Sequence, residues 1–541
     1  MKFKLLIVIF ISCKIIISQT PTWQWAKSGG GTNSDNGSCL ATDASGNVFV
    51  SGFYFSPTII FGTYTLTNSG NYDLYVVKYD PSGNVIWAKT AGGAFDDMAT
   101  AIATNSLGEV YVTGNFTSSS IAFGTYTLTN AGGSDIFIVK YDALGNVMWA
   151  LKEGANNNEE SNGIAVDNTG NIFITGQYQS SILTIGTYTL SNVGIGNVLF
   201  AKYNPTGSVL WALTVGGSNL DVGNALATDA AGNIFITGYF KSNSINSGTT
   251  TLSNNGNSDV FIMKYDGAGN PQWAKSAGVL FEDVGTSIAI DPSGNVLLTG
   301  YYKSSIIGFG IYTFTNTMVN TSDLFVVKYS NSGNEIWAKS LGGTVDDIGF
   351  GIASDVAGNV FVTGHIHSPN MVVGTYTLTN AGVGVGDVFV LKYNGLGTPL
   401  WAEREGGSPD DGGNGIATDA TGNVFVCGFF VSPNINFGSN TLTNVNSSDI
   451  FVAKLSSTTG IENLQNVNEQ LLIYPNPGNG IFKIKAETQI NYLEVFNCVG
   501  EKVFSMQHDN SPLDISDKPR GIYFVRVYFS DNQITKKIIL E

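Results

Sequence analysis

The stretch VVKYDPSGNVIWAK, residues 76–89, decides the fold. Val76, Val77 and Tyr79 are β-branched and aromatic residues of the kind that fill strands, and VIWAK resumes the pattern after five residues. Between them Asp80 is placed to accept hydrogen bonds from the following amides. Gly83 can take the left-handed conformation that closes a tight hairpin. The motif recurs: tryptophan in "WA" stands at Trp25, Trp87, Trp149, Trp211, Trp273, Trp337 and Trp401, in steps of 62, 62, 62, 62, 64 and 64 residues. Two further motifs keep the same beat seven times each, one typified by SGNVFVSG (45–52) and the other by DLYVVKY (73–79). No stretch of helical period intervenes.

Each unit therefore reads as four strands: a short one such as IATD, a GN turn, VFVTGYF, a longer insert, DLFVVKY, a second GN turn and VIWAKS. Four strands in about 60 residues, repeated seven times, predict an all-β, seven-bladed β-propeller. The array begins with a lone fourth strand (Trp23 to Ser28) and ends with a unit of three strands near Leu455. If the first segment completes the last blade, the ring closes and leaves no unpaired edge. The expected segments are a signal peptide over 1–19, the propeller over 20–455, a polar linker over 456–470 and a small β-sandwich over 471–541. The leader reading rests on Lys2 and Lys4, an apolar run and the small or polar Ser18 and Gln19. No other segment is long and apolar enough to span a bilayer as a helix.

Residues 21–460 carry 32 acidic and 15 basic side chains, a net of −17. An acidic body of this kind argues against nucleic acid and anionic membrane surfaces as partners, and leaves cations, glycans and proteins open. Apart from Cys13 in the leader, the cysteines are Cys39, Cys427 and Cys498. They form no disulfide framework and no metal pair. Cys39 and Cys427 stand at the two ends of the array, which makes a closing bridge conceivable beside the plainer reading of two isolated thiols.

The propeller residues resemble the repeat family called SBBP, whose pattern GIAxDxxGNxYVTG followed by DxFVxKxxxxG covers roughly residues 23–455. That family implies the fold and little about mechanism. The inserts here are longer and carry an FGTYTLTN signature. The C-terminal stretch resembles the type A sorting domain of the Bacteroidetes type IX secretion system. The matching residues are Tyr474-Pro475-Asn476-Pro477, Gly480, Leu513 to Ser516 with Asp514, Pro519, Gly521-Ile522-Tyr523 and the terminal Lys536-Lys537. This resemblance implies handling by the type IX machinery, export across the outer membrane, removal of the domain, and release or attachment at the cell surface.

Strand parity puts the inserts and the interblade loops on one face and the GN hairpins on the other. The interblade loops carry Asp35, Asp96-Asp97, Glu159-Glu160, Asp221, Glu282-Asp283, Asp346-Asp347 and Asp410-Asp411. One reading is a cation site at the channel mouth, Ca²⁺ being the cation that clustered carboxylates suit. The other is that one acid per blade accepts backbone amides and fixes a turn. His365 and His367, two apart on a strand, are candidate metal ligands or substitutes at an aromatic position. Thr, Asn and Tyr of FGTYTLTN are candidates for binding sugars, or merely build extra hairpins. The seven third-strand lysines, Lys78 to Lys454, are expected to be ion-pair partners or solvated. There is no GxSxG nucleophile elbow, and GVGVGD (382–387) does not lead from a strand into a helix. The functional expectation is an exported binding or adhesion platform that is not an enzyme. The rivals are an enzyme acting on extracellular polysaccharide and a purely structural surface component.

Overall fold

The computed structural model describes residues 21–456 except 383, and 471–541 except 487–488, 498–500, 508–510 and 530–532. The expected leader with Cys13, the linker after Ser456, Cys498 and His508 lie outside the described residues. The chain divides into two units, Met1–Thr459 and Gly460–Glu541.

The first unit opens with β1 (Trp23–Gly29), β2 (Asp35–Thr42), β3 (Val48–Tyr54), β4 (Thr58–Phe61), β5 (Tyr64–Thr67), β6 (Asp73–Tyr79) and β7 (Val85–Ala91). β2-β3-β6-β7 form one antiparallel sheet, and β4-β5 a separate hairpin inserted between its second and third strands. The same arrangement returns along the unit, giving seven four-stranded sheets and seven hairpins. The second and third strands are buried along nearly their whole length on both faces, as blades stacked between neighbours require. Both turns behave as read: at the first, Asp43 Oδ1 accepts Ser45 N and Asn47 N, while Gly46 sits at φ +76.

β1 lies beyond the third strand of the last sheet, Asp449–Leu455, whose other strands are Asp411–Thr418 and Val424–Phe430. Trp25 pairs with Lys454 and Gly29 with Ile450. The ring is also closed at its centre. Each of Thr104, Thr42 and Thr418 donates its hydroxyl, at 2.8 Å, to the carbonyl at the end of the preceding blade's inner strand: Thr42, Thr418 and Ser354 respectively. The propeller is thus held shut between its first and last blades by backbone pairing and by side chains.

The motif residues lock each blade to the next. Lys78 lies over the Phe49 ring and donates to Ala143 O, the turn carbonyl of the following blade, at 3.1 Å. Trp87 of the same blade donates Nε1 to that carbonyl as well. Lys454 and Trp25 share Pro81 O in the same way, and Lys328 and Trp337 share Gly395 O. The third-strand lysines are buried or half-buried, and Lys78, Lys202, Lys264, Lys328 and Lys454 strap their blade to the next. Three of the third-strand lysines reach a carboxylate of their own blade, in the ion pairs Lys140–Glu109, Lys328–Asp291 and Lys392–Asp355.

FGTYTLTN builds the extra hairpins. Ile59, Phe61 and Leu66 are buried, and the Tyr64 hydroxyl donates to Ile86 O on the outer strand, as Tyr126 does to Met148 O and Tyr188 to Leu210 O. These tyrosines occupy carbonyls of the edge strands, which blunts the edges. The asparagine that ends the signature ties the insert down, Asn68 Nδ2 donating to Tyr54 O and Asn71 O.

Cys39 and Cys427 are both free. Cys39 packs in the core shared by the first and second blades, and Cys427 in the core between the last blade and the first. They lie on opposite faces of the first blade's sheet, so closure of the ring rests on pairing and packing.

The second unit is a β-sandwich of a three-stranded sheet and a four-stranded sheet around Phe482, Leu493, Val495, Leu513, Val525 and Ile538. The motif residues hold its turns. Asn476 donates to Lys537 O and accepts from Ile539 N. Asp514 accepts from Ser516 N, and Tyr523 donates to Pro519 O. A Cβ on Gly480, which stands at φ +108, would fall 2.4 Å from Ser516 Cα, so only glycine fits. Tyr474 is half exposed beside Pro475 and Pro477.

Candidate functional site

The acid pairs part company in the structure. Asp35, Asp97, Glu159, Asp221, Asp283, Asp347 and Asp411 open the inner strands and are 0% exposed. Each accepts amides from the end of its blade's second strand. Asp97, for example, takes Thr117 N, Ser118 N, the Ser118 hydroxyl and Gly93 N. They are buried in the blade junctions rather than lining the mouth. The other member stands before the buried acid in Asp96, Glu282, Asp346 and Asp410, but after it in Glu160. Asp346 and Asp410 accept Ser322 N and Gly386 N of the preceding blade. Among the described residues no three His, Cys, Asp or Glu side chains gather as a metal cluster.

A second set of buried acids comes from the first letter of DLYVVKY. Asp73, Asp135, Asp259, Asp323, Asp387 and Asp449, with Asn197 in the third blade, open the third strands. Each keeps one oxygen, Oδ1, without a hydrogen-bond partner among the described residues. That oxygen lies against a glycine of the interblade loop: a Cβ on Gly92 would fall 2.0 Å from Asp73 Oδ1, and one on Gly342 2.0 Å from Asp323 Oδ1. Burial, reinforced by the carboxylate that opens the next inner strand, raises Asp73, Asp259, Asp323 and Asp449 to about 6. Lys152 pairs with Asp135 and Arg404 with Asp387, both at 3.1 Å. These seams are structural, and their repetition identifies them as such.

One position that differs from blade to blade lies on the second strand, opposite the second residue of the inner strand, at the insert-face end. It holds Phe53, Asn115, Gln177, Tyr239, Tyr301, His365 and Phe429 in chain order. Going round the ring, aromatic rings run unbroken from Tyr239 to Phe53, and amides fill the remaining arc. All are half-buried except the buried Gln177. Charged groups are interleaved with them. Lys241 stands over Tyr239 and Lys303 over Tyr301, and Lys303 pairs with Glu282 at 2.8 Å. Burial and the nearby Glu282 charge raise the Tyr301 phenol, so it stays protonated. Gln177 donates to Glu160 on the amide side.

His365 belongs to this arc. Its ring packs 4.7 Å from Phe350 and 5.6 Å from Phe429. Phe350 takes the place held by Thr100, Asn162, Thr286 and Asn414, each of which donates to a carbonyl of the next blade. His365 Nε2 has no hydrogen-bond partner among the described residues and lies over Gly412, where a Cβ would fall 2.1 Å away. Burial, then the charge of His367, lowers His365 to about 4, so it is neutral at ordinary pH. His367 turns elsewhere: its Nδ1 is 3.0 Å from Asp346 O, and its Nε2 3.8 Å from Asp410. The two rings stand 6.2 Å apart, and each has its own surroundings.

The rim was partly legible as the aromatic pairs after TG. Phe350 was not singled out, because its signal lies in comparing one column of the inner strands across blades. The third-strand aspartates were visible as a recurring letter, but nothing in the letter showed that one oxygen would be left unpaired.

Comparison with known sequences agrees with this architecture. Residues 472–541 match the family of secretion system C-terminal sorting domains, and that segment is such a domain. An uncharacterized WD repeat-containing protein, L264, of Acanthamoeba polyphaga mimivirus is 27% identical over 531 residues, covering 80% of this chain and 38% of the viral protein. The regulatory protein FlaEY of Caulobacter vibrioides is 26% identical over 263 residues, covering 44% of this chain and 27% of that protein. This chain thus spans well under half the length of either relative. Among solved structures, Sqt1 from Chaetomium thermophilum is similar at a TM-score of 0.30 and 10% identity, over 64% of this chain and 83% of that one. PorZ, a bacterial surface component of the type IX secretion system of Porphyromonas gingivalis, is similar at 0.16 and 11%, over 95% and 100%. The sorting domain implies export to a surface or extracellular location. No helix among the described residues is long and apolar enough to cross a membrane.

Proposed function

We propose that this chain is an exported binding platform, carried out by its sorting domain and engaging its ligand at the insert-face rim of the propeller. One observation carries the reading. The residues that recur in every blade are used in turns, straps and seams, whereas the half-exposed arc from Tyr239 to Phe53 differs from blade to blade and has no such use. A rigid ring presenting a few unlike side chains at its mouth suits recognition, since the groups are held in place before the ligand arrives.

The test is adsorption of the purified full chain to whole cells or cell-surface material, compared with Tyr239→Ala and Tyr301→Ala. The proposal expects both substitutions to weaken adsorption while the thermal midpoint holds. Equal adsorption by all three proteins would sink it. An enzyme acting on extracellular polysaccharide is the second reading, favoured by the departure of the sixth blade through Phe350 and His365. It requires release of saccharide product, with loss of release in His365→Gln.

A further inference from the structure

We infer that the arc running from Tyr239 through Tyr301, His365 and Phe429 to Phe53 is a binding site for a neutral saccharide chain. The inference rests on the platform reading above and names its ligand class.

Half-buried aromatic side chains stand at the same register position in five consecutive blades. The C–H face of a pyranose stacks on such rings, because it offers apolar area edged by hydroxyls. The hydrogen-bonding groups that hydroxyls need lie against the rings: Lys241 over Tyr239, and Lys303, paired with Glu282, over Tyr301. Neither the Tyr239 nor the Tyr301 hydroxyl has a partner among the described residues, so both are free to bond a ligand. The remaining arc holds Asn115 and the Gln177–Glu160 pair, amide and carboxylate groups that also suit sugar hydroxyls.

Charge selects among saccharides. The body of the chain is strongly acidic, and four of the groups on this face, Glu160, Glu282, Asp346 and Asp410, are carboxylates. A uronate or sulfated polymer would be repelled, whereas a neutral chain is indifferent to the field. A peptide is the less suitable occupant. Its affinity would need a contiguous apolar groove for anchoring side chains, and here Lys241 and Lys303 lie over two of the rings. The arc runs through five consecutive blades, so a linear chain laid along it meets several rings in succession, with weak contacts adding along its length.

The experiment is affinity electrophoresis of the full chain in gels containing β-glucan, xylan or galactomannan, with alginate as the polyanionic probe. The expected result is retardation by at least one neutral polymer and none by alginate. Tyr239→Ala and Tyr301→Ala should each weaken binding about ten-fold, the loss of one stacking ring and one hydroxyl. Tyr301→Phe, which keeps the ring, should weaken it less. Leu144→Ala, an exposed change on the opposite face, should leave it unaltered. Thermal midpoints of the variants exclude misfolding as the cause. Retardation by no neutral polymer, or equal retardation of wild type and both tyrosine variants, overturns the inference. If those variants then still lose adsorption to protein-bearing surface material, the ligand is a protein and the platform reading stands. If they lose nothing, both readings fall.

Discussion

Replacing Asp323 by Asn should stabilise the propeller at neutral pH, and the structure gives the size. Asp323 is 2% exposed at the start of its strand, and only one of its oxygens is bonded, by Thr317 N at 3.1 Å. The other, Oδ1, faces Gly342 unpaired. The neighbouring Asp347 also keeps an unpaired oxygen. No basic side chain is within ion-pair distance of Asp323 among the described residues. Burial, then the Asp347 charge, raises its carboxyl from 3.8 to about 6. Two pH units correspond to about 3 kcal/mol of penalty on the charged form in the folded state. The folded state therefore binds a proton between about pH 4 and 6 that the unfolded chain does not. The stabilisation is fully present below the unfolded value of 3.8 and is lost as the pH rises through about 6. Asn cannot ionise, and Asn197 occupies the same place in the third blade, so the amide fits the geometry. For a ring of this size, 3 kcal/mol is roughly 3 °C in Tm. Scanning calorimetry of the full chain should show D323N melting about 3 °C above wild type at pH 7.5 and within a degree of it at pH 4.5. Equal or lower melting of the variant at pH 7.5 would refute the account of the seams.

The other expectations are more local. Trp87→Phe and Lys78→Met each leave Ala143 O one donor, whereas the double variant leaves none; its destabilisation, read from denaturant midpoints, should exceed the sum of the singles by about 1 kcal/mol. Removing residues 21–29 strips the fourth strand from the last blade and exposes the edge Asp449–Leu455; loss of the single sharp melting transition, or self-association on size-exclusion, is expected. Gly412→Ala drives a methyl into His365 Nε2, so the variant should lose about 2 kcal/mol, and by NMR its His365 should titrate above the value of about 4 expected for the native residue. The buried interblade acids already hold amide hydrogens, so millimolar Ca²⁺ should leave Tm within a degree of its value in EDTA; a rise of several degrees would restore the acid pairs as cation ligands.

Local signals carried most of the fold. A repeat of constant length, strand runs punctuated by Asp and Gly-Asn, and the mismatch between a lone fourth strand and a unit of three together determined blades, turns and closure. These features act over a few residues, or through counting, and so survive in the letters. The sorting domain was legible for the same reason, since Asn476 of YPNP, Gly480 and Asp514 act on close contacts within one small sandwich. What the letters could not carry was which atoms meet across a blade junction. That Lys78 and Trp87 grip one carbonyl 65 and 56 residues away is decided by how blades pack. Likewise the acid pairs look alike in sequence, yet one member is fully buried on its own blade's amides, while Asp346 and Asp410, less buried, reach an amide of the preceding blade. Whether Cys39 and Cys427 could bridge depended on which face of a sheet each occupies. The rim exists only once the ring has closed, because it is assembled from side chains about 62 to 64 residues apart that share no local structure. Sequence periodicity specified the scaffold, and the tertiary ring selected which of its irregularities stand together at one mouth.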